Sequence, residues 1–228
     1  MRQARKVVVA THNEGKLREL RRILDGFLSV EGQRIELVSA GQLGLPDPVE
    51  TGTTFQENAL LKAGQAARES GLPALADDSG LVVDVMGSAP GILSARWSGR
   101  HGDDQANLDL LLNQLNDIPD NHRGGRFVCA AALVVPDVPG YAVRGHQVTR
   151  IGEMPGSIIR QARGENGFGY DPIFVPRDQP RRASGQQPLT SAEMTADEKN
   201  AISHRGKALA AIMPILVNWV LGDGHSRD

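Results

Sequence analysis

The sequence predicts an α/β domain folded as two lobes. Three observations carry that prediction. Val7, Val8, Val9 and Ala10 form a mainly β-branched run that leads through a polar loop into a segment with helix-spaced leucines. Residues 127–135 are almost continuously apolar between polar neighbours, the pattern of a strand buried on both faces. Helix-spaced apolar stripes alternate with these runs, and no internal repeat or clear linker divides residues 1–228.

Taken in chain order, the loop Thr11-His12-Asn13-Glu14-Gly15 precedes a helix carrying Leu17, Leu20, Ile23 and Leu24, whose N-terminus points at whatever the loop holds. A second helix starts near Phe55. There Thr54 and Glu57 have capping-box spacing, and Ala59, Leu60, Ala63, Ala66 and Ala67 offer a small-residue packing face. Gly71-Leu72-Pro73 ends it. Residues 74–85 read as a strand pair or bent strand, broken by a turn at Asp77-Asp78-Ser79-Gly80. Leu108, Leu111, Leu112 and Leu115 place a third helix over 107–115. The glycines of 164–169 require a loop, which leads into Ile173-Phe174-Val175. Prolines and arginines without an apolar period make 176–190 an exposed, mobile loop. Thr195 and Glu198 repeat the capping-box spacing. The last helix carries Leu209, Ile212, Met213, Leu216, Val217 and Val220 on one stripe, which Pro214 should kink or delay.

Composition narrows the function classes. Hydrophobic residues make up 40% and charged residues 23%, ordinary for a soluble globular protein. A net charge of -2 gives no broad basic field, so a nucleic-acid polymer is not the expected partner, whereas a small anionic ligand is allowed. Cys129 is the only cysteine, which excludes an internal disulfide and a cysteine-built zinc site. Its apolar neighbours mark it as a small buried hydrophobe. The first hydrophobic stretch is too short for a signal peptide or a membrane span, so a cytoplasmic location with no membrane partner is expected.

Four stretches carry residues suited to chemistry, though each alone has an ordinary structural explanation. Thr11-His12-Asn13-Glu14-Gly15-Lys16 combines short polar side chains, a glycine and a lysine between strand and helix, which suits a phosphate; simple helix capping would use the same residues. Asp78, or its neighbour Asp77, can bind magnesium through oxygen or orient a water, and Glu50 supplies a further carboxylate; acidic residues beside glycine also make plain turns. Phe168 and Tyr170 sit among glycines, in a chain with only 4% aromatic residues, and suit stacking on a nucleobase or anchoring of the loop. Lys199, His204 and Arg205 suit a phosphate and a base carbonyl, or a solvated helix end.

In this order the set resembles the inosine/xanthosine triphosphate pyrophosphatase family. The matching pieces begin with residues 10–16, Glu50-Thr51-Gly52 and Phe55-Gln56-Glu57-Asn58-Ala59 with Lys62-Ala63. They continue with Ala76-Asp77-Asp78-Ser79-Gly80-Leu81, Pro90-Gly91-Ile92 and residues 94–99, and end with Gly167-Phe168-Gly169-Tyr170-Asp171-Pro172 and Ser203-His204-Arg205-Gly206. They span residues 10–206.

The resemblance implies a long, bent mixed sheet with flanking helices, two lobes around a nucleotide cleft, and a homodimer. It implies hydrolysis of deaminated purine nucleoside triphosphates (ITP, dITP, XTP) to the monophosphate and pyrophosphate with Mg2+. By similarity, Thr11, His12, Asn13, Glu14, Gly15 and Lys16 cradle the phosphates. Asp78 is the catalytic carboxylate and a metal ligand, with Glu50 as the other metal acid, and Ser79 contacts substrate. Phe168, Gly169, Tyr170 and Asp171 enclose the base, with Lys199, His204 and Arg205 completing its recognition. The stretch 177–187 is longer than the family's usual connection. A phosphoribosyltransferase is the nearest rival, but the apolar Leu81-Val82-Val83 stands where its phosphate cradle would continue. A non-catalytic nucleotide sensor would not need Glu50, Asp77 and Asp78.

Overall fold

The computed structural model describes residues 5–11, 20–21, 35–141, 143–181 and 186–222. Among them are the strands β1 (Arg5–Val9), β2 (Ile35–Ser39), β3 (Ala74–Val83), β4 (Gly124–Val135), β5 (His146–Ile158) and β6 (Phe174–Pro176). The helices are α1 (Phe55–Ser70), α2 (Asp104–Gln114), α3 (Ala196–Ile202) and α4 (His204–Leu221). The strands form one mixed sheet in the order β2-β1-β3-β4-β5-β6. β1 pairs parallel with β2 and β3, and β5 pairs antiparallel with β6. The α/β class expected from the sequence, with its mixed sheet and flanking helices, is the fold observed.

The chain divides into two compact units. The first takes in the described parts of Met1–Asp78, Ala130–Ile151 and Lys207–Asp228. Its core is built from small residues: Ala59 and Ala63 of α1 pack with Ala76, Ala130 and Ala132 of the sheet, and Ala66 and Ala67 pack with Val8, Val38 and Ala74. Alanines let the helix lie close on the strands, so polar residues on the same helical face reach the sheet as well.

The second unit comprises Ser79–Cys129 and Gly152–Gly206. Its core gathers Leu81, Leu108, Leu111, Leu115, Phe127, Met154, Tyr170, Ile173 and Phe174. Arg123 lies inside it, 2% exposed, with its guanidinium donating to the carbonyls of Leu115, Ile158 and Ile159. Each of its three nitrogens thereby donates to one carbonyl, which offsets the cost of burying the group.

Several elements differ from the sequence reading. β3 runs unbroken through Asp77-Asp78-Ser79-Gly80, where a turn is expected. The aspartate stays in a strand because its carboxylate finds partners on α1, described below. The capping box of α1 is half formed: Thr54 Oγ1 accepts the Glu57 N–H at 3.1 Å, but the Glu57 carboxylate accepts from Thr53 N–H and Oγ1, one residue earlier than the reciprocal bond requires. The box of α3 is complete. α2 starts at Asp104 because Asp103 caps it through the Ala106 N–H. α4 continues through Pro214, which lies on its exposed face; the carbonyl left without a donor belongs to exposed Ala210 and can turn to water. β2 and β5 are additions to the elements read from sequence.

Cys129 is fully buried in β4. The side chain of Gln179 ties Pro176 to Leu189, which closes the base of the 177–187 stretch. Among the described residues no helix is long and apolar enough to cross a membrane.

Candidate active site

In the first unit, α1 and β3 bring a polar cluster together in an otherwise alanine-lined region. Asn58 and Lys62 are four residues apart, so they stack on one helical face. Lys62 Nζ lies 2.8 Å from Asp78 Oδ1 and 2.9 Å from Glu50 Oε1. Asn58 Nδ2 donates to Asp78 Oδ2 at 3.3 Å, and its Oδ1 accepts the Gly52 N–H at 2.8 Å. One amide therefore ties the loop that carries Glu50 to the strand that carries Asp78. Gly52 has no room for a side chain, because a Cβ there would lie 2.6 Å from Asn58 Oδ1.

Two carboxylates share one ammonium, and the electrostatics follow. Burial pushes the Asp78 carboxyl above its ordinary pKa; Lys62 offsets part of this and the neighbouring Glu50 charge adds to it. Burial alone would lower the Lys62 ammonium, but the two carboxylates outweigh it and hold the group charged above its usual range. The donor set fits magnesium. Both carboxylates present hard oxygen, and the position between them already attracts a cation. Among the described residues no group of three or more His, Cys, Asp or Glu side chains is gathered to hold a metal. Magnesium needs no such cage, since it is commonly bound by one or two carboxylates with substrate phosphates and water.

The other expected residues of this unit are placed in part. Thr11 is half-buried just past β1, and the Ala10 N–H donates to the Leu75 carbonyl, so the chain leaves β1 beside the stretch of β3 that leads to Asp78. His12, Asn13, Glu14, Gly15 and Lys16 lie outside the described residues.

In the second unit the glycine loop is fastened at several residues. The Asp171 Oδ2 atom accepts the Phe168 N–H at 2.9 Å and the Lys199 ammonium at 2.5 Å. Gly167, at φ +81°, has no space for a Cβ, which would meet that same oxygen at 2.2 Å. The Gly169 N–H donates to Asp104 Oδ2 at 2.9 Å. The aromatic pair divides. Tyr170 is buried and its hydroxyl donates to the Ser94 carbonyl at 2.9 Å, whereas Phe168 is 62% exposed with the Lys199 ammonium 5.3 Å from its ring centre. Ser79 is half-buried on β3. Ser203 adopts extended backbone between α3 and α4 and caps α4 through Gly206 N–H. His204 stacks on Phe127 at 5.1 Å, and Arg205 follows it, half-buried.

Asn58, Lys62 and Asp104 join these clusters although sequence reasoning gave them no role. A lysine on an alanine-rich helical face was the available signal, because a buried ammonium needs a carboxylate partner.

A mixed sheet, parallel where β1 meets β2 and β3 and antiparallel where β5 meets β6, with helices flanking it, defines an α/β protein. The chain belongs to the Ham1 family, whose model matches residues 7–215. It is 58% identical to a dITP/XTP pyrophosphatase of Bifidobacterium longum subsp. infantis, over 92% of this chain and 97% of that one. It is 52% identical to the dITP/XTP pyrophosphatase of Streptomyces avermitilis, over 92% and 96%. Among solved structures, the nucleoside-triphosphatase (dITP/XTP pyrophosphatase) of Mycobacterium abscessus is 50% identical, with a TM-score of 0.72 over 92% of this chain and 99% of that one. A HAM1 protein of Coxiella burnetii is 37% identical, with a TM-score of 0.77 over 94% and 99%.

Proposed function

We propose that this chain hydrolyses deaminated purine nucleoside triphosphates (ITP and dITP, XTP and dXTP) to the monophosphate and pyrophosphate, keeping them out of DNA and RNA. The observation that carries the reading is the 58% identity, over nearly the whole chain, to a protein named dITP/XTP pyrophosphatase.

The mechanism follows from the residues. A triphosphate carries about four negative charges, which repel an attacking water until cations offset them. Lys16 and the loop from Thr11 to Gly15 supply positive charge and N–H donors to the phosphates. Glu50 and Asp78 would hold Mg2+, which when bound neutralises phosphate oxygens and stabilises the departing pyrophosphate. Asp78 orients the water and accepts its proton. The water oxygen bonds to the α-phosphorus, the bond from that phosphorus to the α–β bridging oxygen breaks, and pyrophosphate carries the electron pair away.

Base choice rests on donors. Phe168 stacks on the purine, while Lys199, His204 and Arg205 offer N–H groups. Deamination of adenine turns its 6-amino donor into a keto acceptor, which those donors reward; an amino group would face another donor. The protein acts as a homodimer in the cytoplasm in this reading, and light scattering at micromolar concentration tests the dimer.

Pyrophosphate release from ITP, dITP, XTP, GTP and ATP, with and without Mg2+, tests the function. The expected result is Mg2+-dependent release with ITP, dITP and XTP preferred. Equal rates on ATP and ITP would remove the specificity, and release of orthophosphate alone would move the cleaved bond.

A further inference from the structure

Lys62 provides the positive charge between Glu50 and Asp78 in the protein alone. Its ammonium is within 3 Å of an oxygen of each, and its side chain is only 14% exposed. A divalent ion engaging both residues would draw on these same two carboxylates. Two positive centres cannot occupy one position between two carboxylates, because their mutual repulsion rises steeply at the separations involved. The neighbouring groups differ in freedom. Asn58 is pinned at both ends of its amide, whereas Lys62 carries its charge on a flexible four-carbon stem anchored to a helix that the alanine face holds against the sheet.

We propose that Lys62 is a built-in competitor for the divalent cation: it holds Glu50 and Asp78 in place without metal, and must leave them before a metal ion can bind both. The inference rests on the reading of Glu50 and Asp78 as the metal carboxylates. Its consequence is that the nucleotide-free protein binds metal weakly, its affinity scaled by the fraction of molecules in which Lys62 has left the pair. A bound polyphosphate offers the displaced ammonium another anion, so metal and nucleotide bind with positive coupling.

The test is Mn2+ binding to the full chain without nucleotide, read by the electron paramagnetic resonance signal of free Mn2+. It compares wild type with Lys62→Met, Lys62→Gln and Asp78→Asn. Melting curves select folded protein, and two replacements at Lys62 guard against misfolding of one. The expected result is that both Lys62 variants bind Mn2+ about tenfold tighter than wild type, and that Asp78→Asn loses binding. If neither Lys62 variant binds tighter while Asp78→Asn still loses binding, the competition is wrong and the metal reading stands. If Asp78→Asn keeps wild-type affinity, the metal reading itself fails. No binding by any of the four overturns the inference as well.

Discussion

Asn58 donates to the Asp78 carboxylate at 3.3 Å while the same amide accepts the Gly52 N–H. That double engagement fixes the amide's orientation, because only its oxygen can accept from a backbone N–H. Asn58 is fully buried, so the bonds it makes are not readily replaced by water.

Asn58→Ala should therefore cost about 1–3 kcal/mol of stability, the range for leaving a buried donor without a partner. Turnover should fall about tenfold as Asp78 and the Glu50 loop lose their shared tie. Urea unfolding and pyrophosphate release check both. A variant as stable and as fast as wild type would show that the amide holds nothing that matters.

Gly52→Ala tests the same tie sterically. The new Cβ would lie 2.6 Å from Asn58 Oδ1 and 2.8 Å from Glu57 Cβ, so the loop must move away from α1. The expected loss of turnover is about tenfold or more, with circular dichroism unchanged because α1 keeps its Thr54 cap. Unchanged kinetics would mean that the loop carrying Glu50 tolerates displacement.

Phe168→Ala tests the base loop. An exposed ring contributes little to folding, so stability should stay within about 0.5 kcal/mol. Losing a stacking contact of about 1–3 kcal/mol should raise the KM for ITP about tenfold and leave kcat largely intact. A fall in kcat at constant KM would point away from stacking.

Much of this arrangement was legible in the sequence because its signals are local. Thr195 and Glu198 capped their helix as the spacing required, and the apolar run at 127–135 formed the long buried β4. What escaped depended on partners distant in sequence. Asp77-Asp78-Ser79-Gly80 has turn composition, and only the ammonium and amide arriving from α1 let Asp78 stay within a strand. β5 has no clean alternation along its whole length, since most of it is exposed or half-buried and only Gly152, Met154 and Ile158 are buried. Asp104 reads as a first-turn helix acid, and its bond to Gly169 spans 65 residues. The aromatic loop left two readings open, and the fold assigns them separately: Tyr170 anchors the loop, while Phe168 stays exposed.

Tyr170 also gives a pH prediction. Burial, reinforced by the Asp104 charge, raises the pKa of its hydroxyl above the ordinary value of about 10. The folded state favours the neutral form, so this stabilisation is complete below pH about 10 and is lost as pH rises toward the folded value, the unfolded chain ionising first. Tyr170→Phe should be about 1 kcal/mol less stable at pH 8, for the lost bond to Ser94. Between pH 9 and 11 wild type should lose stability faster than the variant, by at most about 1.4 kcal/mol per pH unit. Urea unfolding at stepped pH measures the difference; parallel curves would contradict it.

Asp78→Asn, assayed for pyrophosphate release from ITP under saturating Mg2+, tests most directly whether this carboxylate is the reaction's centre. The amide keeps the shape but loses the charge and the proton-accepting oxygen. We expect kcat to fall about a thousandfold or more, equivalent to about 4 kcal/mol of barrier. A kcat within a few-fold of wild type would contradict the role given to Asp78.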